Sequence, residues 1–465
     1  MADKENKELR EKLLFEKKNG AAKAGSEVLA AADEFCEDYK LFLDTGKTER
    51  EAAAEAVRQA KEAGFVEFEN GKKYSAGDKV YRLNREKAVL LAVIGKQPVE
   101  QGVRIAAAHI DSPRIDLKQN PLYENDDLAY FKTHYYGGIK KYQWSVIPLA
   151  LHGVVCRKDG SKVTVRIGED AGDPQFCITD LLPHLAAEQM RKGAADIIPG
   201  EKLNILIGSR PLDGDNGKDS VKLNIMKLLN EKYGIIEEDF LSAELEAVPA
   251  YKAVDVGFDR SMIGAYGHDD RVCAYPAFKA MFDCGVPEKT AVVCLADKEE
   301  TGSDGNTGLA SSYLEYFIHD LAEMQGGCGR RALSNSSCLS ADVNAAFDPN
   351  FADVFEKRNS SLVNGGVVLT KFTGARGKSG TSDASAEYVA EIRSIFDNAD
   401  IVWQTAELGK VDAGGGGTVA LYVANLDVDV VDIGVPVLSM HAPFEVVSKL
   451  DVYMTYKAIK AFFEN

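Results

Sequence analysis

Short, almost wholly apolar runs recur along this chain, and each is followed by a loop that carries ionisable side chains. Three such runs lie at residues 88–94, 104–109 and 290–295. A run of six or seven residues without polar alternation is typical of a strand that is buried on both faces, as in α/β proteins. The sequence therefore predicts an open α/β sheet, in which chemistry collects beyond the carboxyl ends of the strands.

Helical and β-rich stretches alternate along the rest of the chain. The expected helices are a charged amphipathic pair over about 5–43, one that opens with the capping box of Thr48 and Glu51, one after Pro183, and those at 273–282 and 383–396. Further strands are expected at 78–83, 146–155, 162–166, 337–342 and 430–438. The middle of the chain is therefore richer in strands than either end.

A length of 465 residues is too great for one hydrophobic core and predicts two or three domains. The α/β pattern of the first part stops near residue 113 and returns after about residue 255. We therefore expect a discontinuous catalytic α/β domain, a mixed sheet flanked by helices, made of residues 1–113 and 255–465. Residues 114–254 would form a smaller, inserted β-rich domain.

Composition narrows the class of partner. Lysine and arginine number 55 against 72 acidic residues, so the formal net charge is −17. Nucleic acid and anionic membranes both require a basic surface, which argues against either as a partner. No run approaches the roughly 18 apolar residues of a membrane span, and the N-terminus has no apolar leader. Eight scattered cysteines without a C-x-x-C pair are typical of thiols in a reducing compartment, so we expect a cytoplasmic protein.

Five segments place a carboxylate or an imidazole at the end of an expected strand. They are His109-Ile-Asp111, Asp269-Asp270, Glu299-Glu300, Asp342 and Met440-His441. Each segment alone also suits a cap, a turn or a solvated surface. Together they supply two histidines and three carboxylates as ligands with at least two carboxylates to spare, which is the inventory of a dinuclear metal site with an adjacent base.

The spacing of these residues indicates separate roles. Asp111 lies two residues after His109, on the same side of an extended chain, and can hydrogen-bond that imidazole and fix its tautomer. Asp269 would bridge two metal ions, and Glu299 would accept the proton of the attacking water. The glycine run 414–417 forms either a flexible loop or a cradle for substrate, with Gly415 and Gly416 as its candidate contacts.

Five motifs, in order, resemble those of the aspartyl aminopeptidase and vacuolar aminopeptidase I family of dinuclear-zinc exopeptidases. They are His109-Ile-Asp-Ser-Pro113, Asp269-Asp270, Glu299-Glu300-Thr-Gly-Ser303, Ser340-Ala-Asp342 and Ser439-Met-His441. The resemblance runs over nearly the whole chain and implies a zinc-exopeptidase fold. It implies two Zn²⁺ per subunit. Imidazole and carboxylate ligands would also accept Co²⁺ or Mn²⁺ at one position in vitro. The implied metal ligands are His109, Asp269, Glu300, Asp342 and His441, with Glu299 as general base and Asp111 as the residue that orients His109.

The resemblance also implies features of assembly and specificity. His184 corresponds to a histidine that the inserted, dimerisation domain lends to a neighbouring subunit's active site, in tetrahedral homododecamers built from dimers. Lys371 resembles a lysine that meets the substrate in aspartate-preferring members. Where those relatives carry an aromatic, this chain has Gly377-Lys-Ser-Gly380, and the glycine run 414–417 also departs from them. Both acidic and neutral N-terminal residues therefore stay open as substrates.

The expected activity is hydrolysis of the first peptide bond of short peptides by a zinc-dependent aminopeptidase. Two alternatives fit the same residues. One is a related dinuclear-metal carboxypeptidase or deacylase, which would act on a different end of its substrate. The other is a non-catalytic shell whose acidic site stores cations. This alternative does not explain the additional carboxylate of Glu299, because cation storage requires no base.

Overall fold

The computed structural model describes residues 2–14 and 19–465, and the side chains of 6–14 and 19–465. Ten α-helices lie in that part of the chain. They are α1 (Ala2–Leu13), α2 (Gly20–Thr45), α3 (Glu49–Glu62), α4 (Ser220–Tyr233), α5 (His268–Asp283), α6 (Tyr313–Glu323), α7 (Gly329–Ser334), α8 (Ala386–Asn398), α9 (Ala420–Ala424) and α10 (Lys449–Glu464). The predicted N-terminal helix pair corresponds to α1 and α2, with residues 15–18 outside the described residues.

Twenty strands complete the described part of the fold. They are β1 (Val66–Glu67), β2 (Lys79–Asn84), β3 (Ala88–Val93), β4 (Val103–His109), β5 (Arg114–Asn125), β6 (Leu128–Tyr136), β7 (Leu149–Cys156), β8 (Lys162–Ile167), β9 (Ile205–Gly208), β10 (Ala243–Pro249), β11 (Val254–Val256), β12 (Met262–Ala265), β13 (Thr290–Ala296), β14 (Ser337–Ala341), β15 (Asn344–Ala345), β16 (Val367–Thr370), β17 (Trp403–Thr405), β18 (Asp429–Gly434), β19 (Pro436–Leu438) and β20 (Glu445–Ser448).

The largest sheet is mixed and has nine strands in the order β1-β2-β3-β13-β4-β14-β18-β16-β17. Its centre is parallel, because β13 pairs with β4, β4 with β14 and β14 with β18 in the same direction. Ala296, the last residue of β13, lies opposite His109, the last residue of β4. The carboxyl ends of the central strands therefore meet at one edge.

Helices cover both faces of this sheet. One face packs against α2, α3, α5, α8 and α10, whose buried side chains include Phe42, Phe278 and Phe462. The other face packs against α6, α7 and α9 through side chains such as Phe317 and Val423. Strands β3 and β13 are completely buried, which explains why their sequences lack polar alternation.

Two smaller sheets complete the fold. Six antiparallel strands in the order β8-β7-β10-β5-β6-β9, drawn from residues 114–249, surround a separate core that contains Trp144 and Phe131. The third sheet has the order β11-β12-β20-β19-β15 and was not anticipated from the sequence. The predicted α/β fold with a mixed, helix-flanked sheet is confirmed.

Two local predictions were wrong. The helix expected after Pro183 is a 3₁₀ turn at Pro183–Leu185, because the leucines around it are exposed and pack on no core. The single strand expected at 430–438 divides at Val435 into β18 and β19, which belong to different sheets. Among the helices of the described residues, none is both long enough and apolar enough to cross a bilayer.

A buried ionic cluster joins the start of α3 to the six-stranded sheet. The Lys47 ammonium lies 2.6 Å from Glu169, and the two ring nitrogens of His152 lie 3.2 Å from Glu169 and 2.9 Å from Glu51. Burial opposes ionisation of Glu169, but the neighbouring His152 imidazole and Lys47 ammonium outweigh it and lower the pKa of Glu169 to about 2. Ionised Glu169 therefore stabilises the contact between the start of α3 and the six-stranded sheet.

Replacing Glu169 with Gln should lower the melting temperature by about 3–6 °C at pH 7, because Lys47 and His152 lose a buried partner. Since the folded pKa lies below the ordinary glutamate value, this stabilisation is present above about pH 4.3 and is lost as the pH falls towards 2. Thermal melts of wild type and Glu169→Gln from pH 3 to pH 7 should therefore converge on the acid side. Glu27→Gln, on the exposed face of α2, is the matched control. A difference that grows on acidification would contradict the assignment.

Candidate metal centre

The sequence-predicted ionisable residues come together at the carboxyl edge of the central strands. His109 ends β4, Asp342 directly follows β14, and Glu299 and Glu300 begin a 3₁₀ turn after β13. Asp269 lies in the first turn of α5, and His441 follows β19. The parallel register of β13, β4 and β14 explains why residues far apart in the chain share one site.

Asp269 lies between the two imidazoles. Its Oδ1 atom is 3.2 Å from Nε2 of His109, and its Oδ2 atom is 3.1 Å from Nε2 of His441. The Asp269 side chain is almost completely buried, as is His109, whereas His441 is about one third exposed. One carboxylate thus presents a separate oxygen to each histidine.

Both imidazoles are oriented through their other nitrogen. Nδ1 of His109 lies 3.0 Å from the Asp111 carbonyl oxygen, and Nδ1 of His441 lies 2.9 Å from the Gly138 carbonyl oxygen. A carbonyl can only accept, so each Nδ1 carries a proton, and each Nε2 faces the Asp269 carboxylate. The Asp111 carboxylate also lies 3.3 Å from Nδ1 of His109. Each Nε2 is therefore the nitrogen that a cation could bind after displacing its proton.

Further carboxylates flank each imidazole. Near Nε2 of His109 lie Asp342 and Glu299, each at 3.9 Å. Near Nε2 of His441 lies Glu300, at 3.6 Å. The cluster therefore has two halves, which share the Asp269 carboxylate.

The carboxylates of the cluster differ in how readily they ionise. Burial raises the pKa of Glu299 to about 7, and burial with the charge of neighbouring carboxylates raises the pKa values of Glu300 and Asp342 well above the ordinary range. Burial also opposes ionisation of Asp269, but its two imidazole partners outweigh that effect and lower its pKa. Burial lowers the pKa of His441, yet Asp269 and Glu300 together raise it to about 10.

The cluster fits a divalent cation. Among the described residues there are two groups in which the potential ligand atoms all lie within 4.8 Å of one another. One is His109, Asp270 and Asp342, and the other is His109, Asp269 and Glu300. Oε1 of Glu300 is buried and has no hydrogen-bond partner among the described residues. Imidazole nitrogens and carboxylate oxygens are ligands that zinc accepts, and a bound cation would offset the repulsion among these buried acids.

Two carboxylates of the site were not anticipated from the sequence in their observed roles. Glu445 is buried, and its oxygens accept the backbone N–H groups of Asp269 at 3.1 Å and of His441 at 2.8 Å. Asp270 accepts the backbone N–H of His109 at 3.2 Å. Glu445 opens β20 without any motif around it, so no sequence signal marked it.

A cavity of about 640 Å³ opens above the cluster and is bordered by the glycine run. Gly415 and Gly416 line it, but their N–H groups already donate to the carbonyl oxygens of Leu408 and Thr373. Lys371 does not line it and instead lies 2.5 Å from the Asp383 carboxylate. His184 is exposed and lines a different groove, of about 1030 Å³.

Comparison with known proteins defines the class of this site. The family described as aminopeptidase I zinc metalloprotease (M18) matches residues 42–463, which is most of the chain. Its members are zinc-dependent peptidases that remove N-terminal residues. The chain belongs to the M18 family of aminopeptidases, and the predicted family resemblance, activity and zinc dependence are confirmed.

The individual relatives agree over nearly their whole length. The chain is similar to a probable M18 family aminopeptidase 1 of Clostridium acetobutylicum, with 51% identity over 97% of this chain and 99% of the relative. A crystal structure of the M18 aminopeptidase of Thermotoga maritima superimposes with a TM-score of 0.92 at 43% identity, covering 97% of this chain and 100% of that one. The structure of the S. cerevisiae mApe1 dodecamer, at 19% identity and a TM-score of 0.75 over 95% of this chain and 98% of that one, shares the fold.

Replacing Glu445 with Gln leaves one carbonyl oxygen to accept two backbone N–H groups, so the loops that carry Asp269 and His441 should loosen. We expect the apparent affinity for zinc to fall about tenfold to a hundredfold, as is usual when a residue that supports metal ligands is changed. Chelator competition measures this affinity directly. Glu323→Gln, at an exposed position of α6, should bind zinc as the wild type does. Unchanged affinity in Glu445→Gln would show that the two loops hold their positions without it.

Proposed function

We propose that this aminopeptidase holds two zinc ions and removes neutral N-terminal residues from short peptides. The observation that carries the proposal is the position of Asp269, with one oxygen 3.2 Å from His109 and the other 3.1 Å from His441. His109 and Asp342 would hold one ion and His441 and Glu300 the other, with Asp269 binding both. Asp270, which accepts the His109 amide through Oδ2, is left out of the proposed ligand set.

When bound, zinc ions act as Lewis acids that polarise the scissile carbonyl and make water acidic enough to lose a proton near neutral pH. Glu299 is the base that takes this proton. Its position suits the task, because its carboxylate lies 3.9 Å from Nε2 of His109 and borders the cavity where substrate would bind. Asp111 holds Glu299 in place by accepting its backbone N–H at 3.1 Å.

The lining of the cavity supports neutral N-terminal residues. Besides the acidic cluster, the described residues that line it are small, hydroxylated or apolar, and they include Val343, Leu408, Leu421 and Met440. An acidic substrate side chain needs a cation, and no lysine or arginine lies among these lining residues. Lys371 is paired with Asp383 outside the cavity.

The site would be completed in an assembly. His184 lies in an exposed turn beside Leu181, Leu182 and Leu185, each more than half exposed. Such a turn suits a subunit contact, and His184 would reach the neighbouring subunit's active site in a dodecamer built from dimers with tetrahedral symmetry. The mApe1 dodecamer that shares this fold supports the subunit number.

The enzyme would act in the cytoplasm. All eight cysteines are free thiols in the structure, and five of them are buried. Free thiols in this number suit a reducing compartment. Cobalt or manganese would also fit the imidazole and carboxylate ligands when supplied in vitro.

Replacing Glu299 with Gln should reduce kcat about a hundredfold to ten-thousandfold, because the base is lost while the ligands stay. Zinc content by elemental analysis should remain at two ions per chain. Glu323→Gln serves as the surface control and should retain full activity. Near wild-type kcat in Glu299→Gln would remove Glu299 from the proposed role, and loss of zinc in that variant would reassign it as a ligand.

A panel of dipeptidyl substrates that differ only in the first residue tests the specificity. Leucyl and alanyl substrates should be cleaved with kcat/KM at least about tenfold above aspartyl and glutamyl ones, because the cavity would leave an acidic side chain without a partner. N-acetylated versions of the leucyl substrate should resist hydrolysis if the free amine is recognised. Preference for aspartyl substrates would show that Lys371 leaves Asp383 when substrate binds, and cleavage of the acetylated peptide would favour a deacylase.

A further inference from the structure

The end of strand β6, in the six-stranded sheet, lies against the metal centre. Three consecutive residues at the end of β6 reach three parts of the site. The Tyr136 hydroxyl donates to Oδ2 of Asp111 at 2.8 Å, and the Gly138 carbonyl accepts from His441 at 2.9 Å. Gly137 has a φ of +73°, and a Cβ there would lie 3.3 Å from the Glu300 carboxylate, so the strand end fits closely against the turn.

Tyr136 acts on the site through Asp111. The Asp111 side chain is fully buried, and its two oxygens accept the backbone N–H groups of Glu299 at 3.1 Å and of Glu300 at 3.2 Å. The Tyr136 hydroxyl adds a third donor on the oxygen that receives Glu300. A carboxylate held by three donors has a fixed plane, so the turn that carries the base and a metal ligand is fixed as well.

Tyr136 is itself held by a buried charge network. The Arg114 guanidinium lies over the Tyr136 ring, 3.9 Å from its centroid. Arg114 is in turn held by Asp116 at 2.8 Å, by Glu246 at 3.0 Å and by Glu49 of α3 at 3.4 Å. The ring is therefore clamped where the six-stranded sheet meets the N-terminal helices.

We propose that Tyr136 is a positioning residue for the peptidase reaction, which it serves by fixing the Asp111 carboxylate and, through it, the turn of Glu299 and Glu300. This assignment rests on the proposed role of Glu299 as base. Tyr136 does not line the cavity above the cluster, so its loss should affect turnover more than substrate binding. The six-stranded sheet would then contribute to chemistry as well as to assembly.

Tyr136→Phe tests this assignment, because it keeps the ring under Arg114 and removes only the hydroxyl. Tyr135→Phe is the matched control, since its side chain is the neighbouring one on β6, points to the opposite face and is exposed. Two measurements are made on the zinc-loaded proteins: hydrogen exchange of the backbone amides in a peptide that covers residues 297–303, and steady-state kinetics on a leucyl substrate.

In Tyr136→Phe we expect the Glu299 and Glu300 amides to exchange about tenfold faster and kcat to fall about tenfold to a hundredfold, with KM within about twofold of wild type. Tyr135→Phe should match the wild type in both measurements. Normal exchange in Tyr136→Phe would overturn the assignment, and so would faster exchange with an unchanged kcat. Exchange does not depend on the identity of the base, so failure of the proposed role of Glu299 would appear in Glu299→Gln and not in this readout.

Discussion

Mutual repulsion among buried acids is the constraint on which this site depends. The parallel centre of the large sheet brings Glu299, Glu300 and Asp342 to one edge, where Asp269 already lies between two imidazoles. Carboxylates that share a buried space cannot all ionise, which explains why burial and neighbouring charge raise the pKa values of three of them. Such an arrangement is consistent with a zinc-binding family, since a bound cation offsets the negative charge of the carboxylates that the fold brings together.

Hydrogen bonds from backbone N–H groups to buried carboxylates hold the loops of the site in position. Asp111 accepts from the turn that follows β13, and Glu445 accepts from the amides of Asp269 and His441. Both carboxylates support the site without contacting a metal ion, because each fixes a loop that carries residues of the acidic cluster. The two imidazoles are fixed in the same manner by carbonyl oxygens, one of which comes from Gly138, two residues after the end of β6.

The edge of the sheet was predictable, because an apolar run followed by an ionisable loop marks a buried strand and its carboxyl end. That pattern by itself points to His109, Glu299 and Asp342. The same pattern failed at 430–438, where one apolar run serves two sheets, and after Pro183, where leucines that suit a helix face are exposed. Apolar character predicts burial only when another element is present to cover it.

The sequence by itself determined the chemical inventory: two histidines, the acids around them, and an order of motifs that indicates a zinc aminopeptidase. Tertiary structure alone decided the contacts of Tyr136, Gly138 and Glu445, since Gly138 and His441 are 303 positions apart and no local pattern links them. It also decided that Lys371 pairs with Asp383 instead of lining the cavity. Local sequence sets which strands form and which groups they carry, whereas the direction in which each group points depends on how separate layers pack.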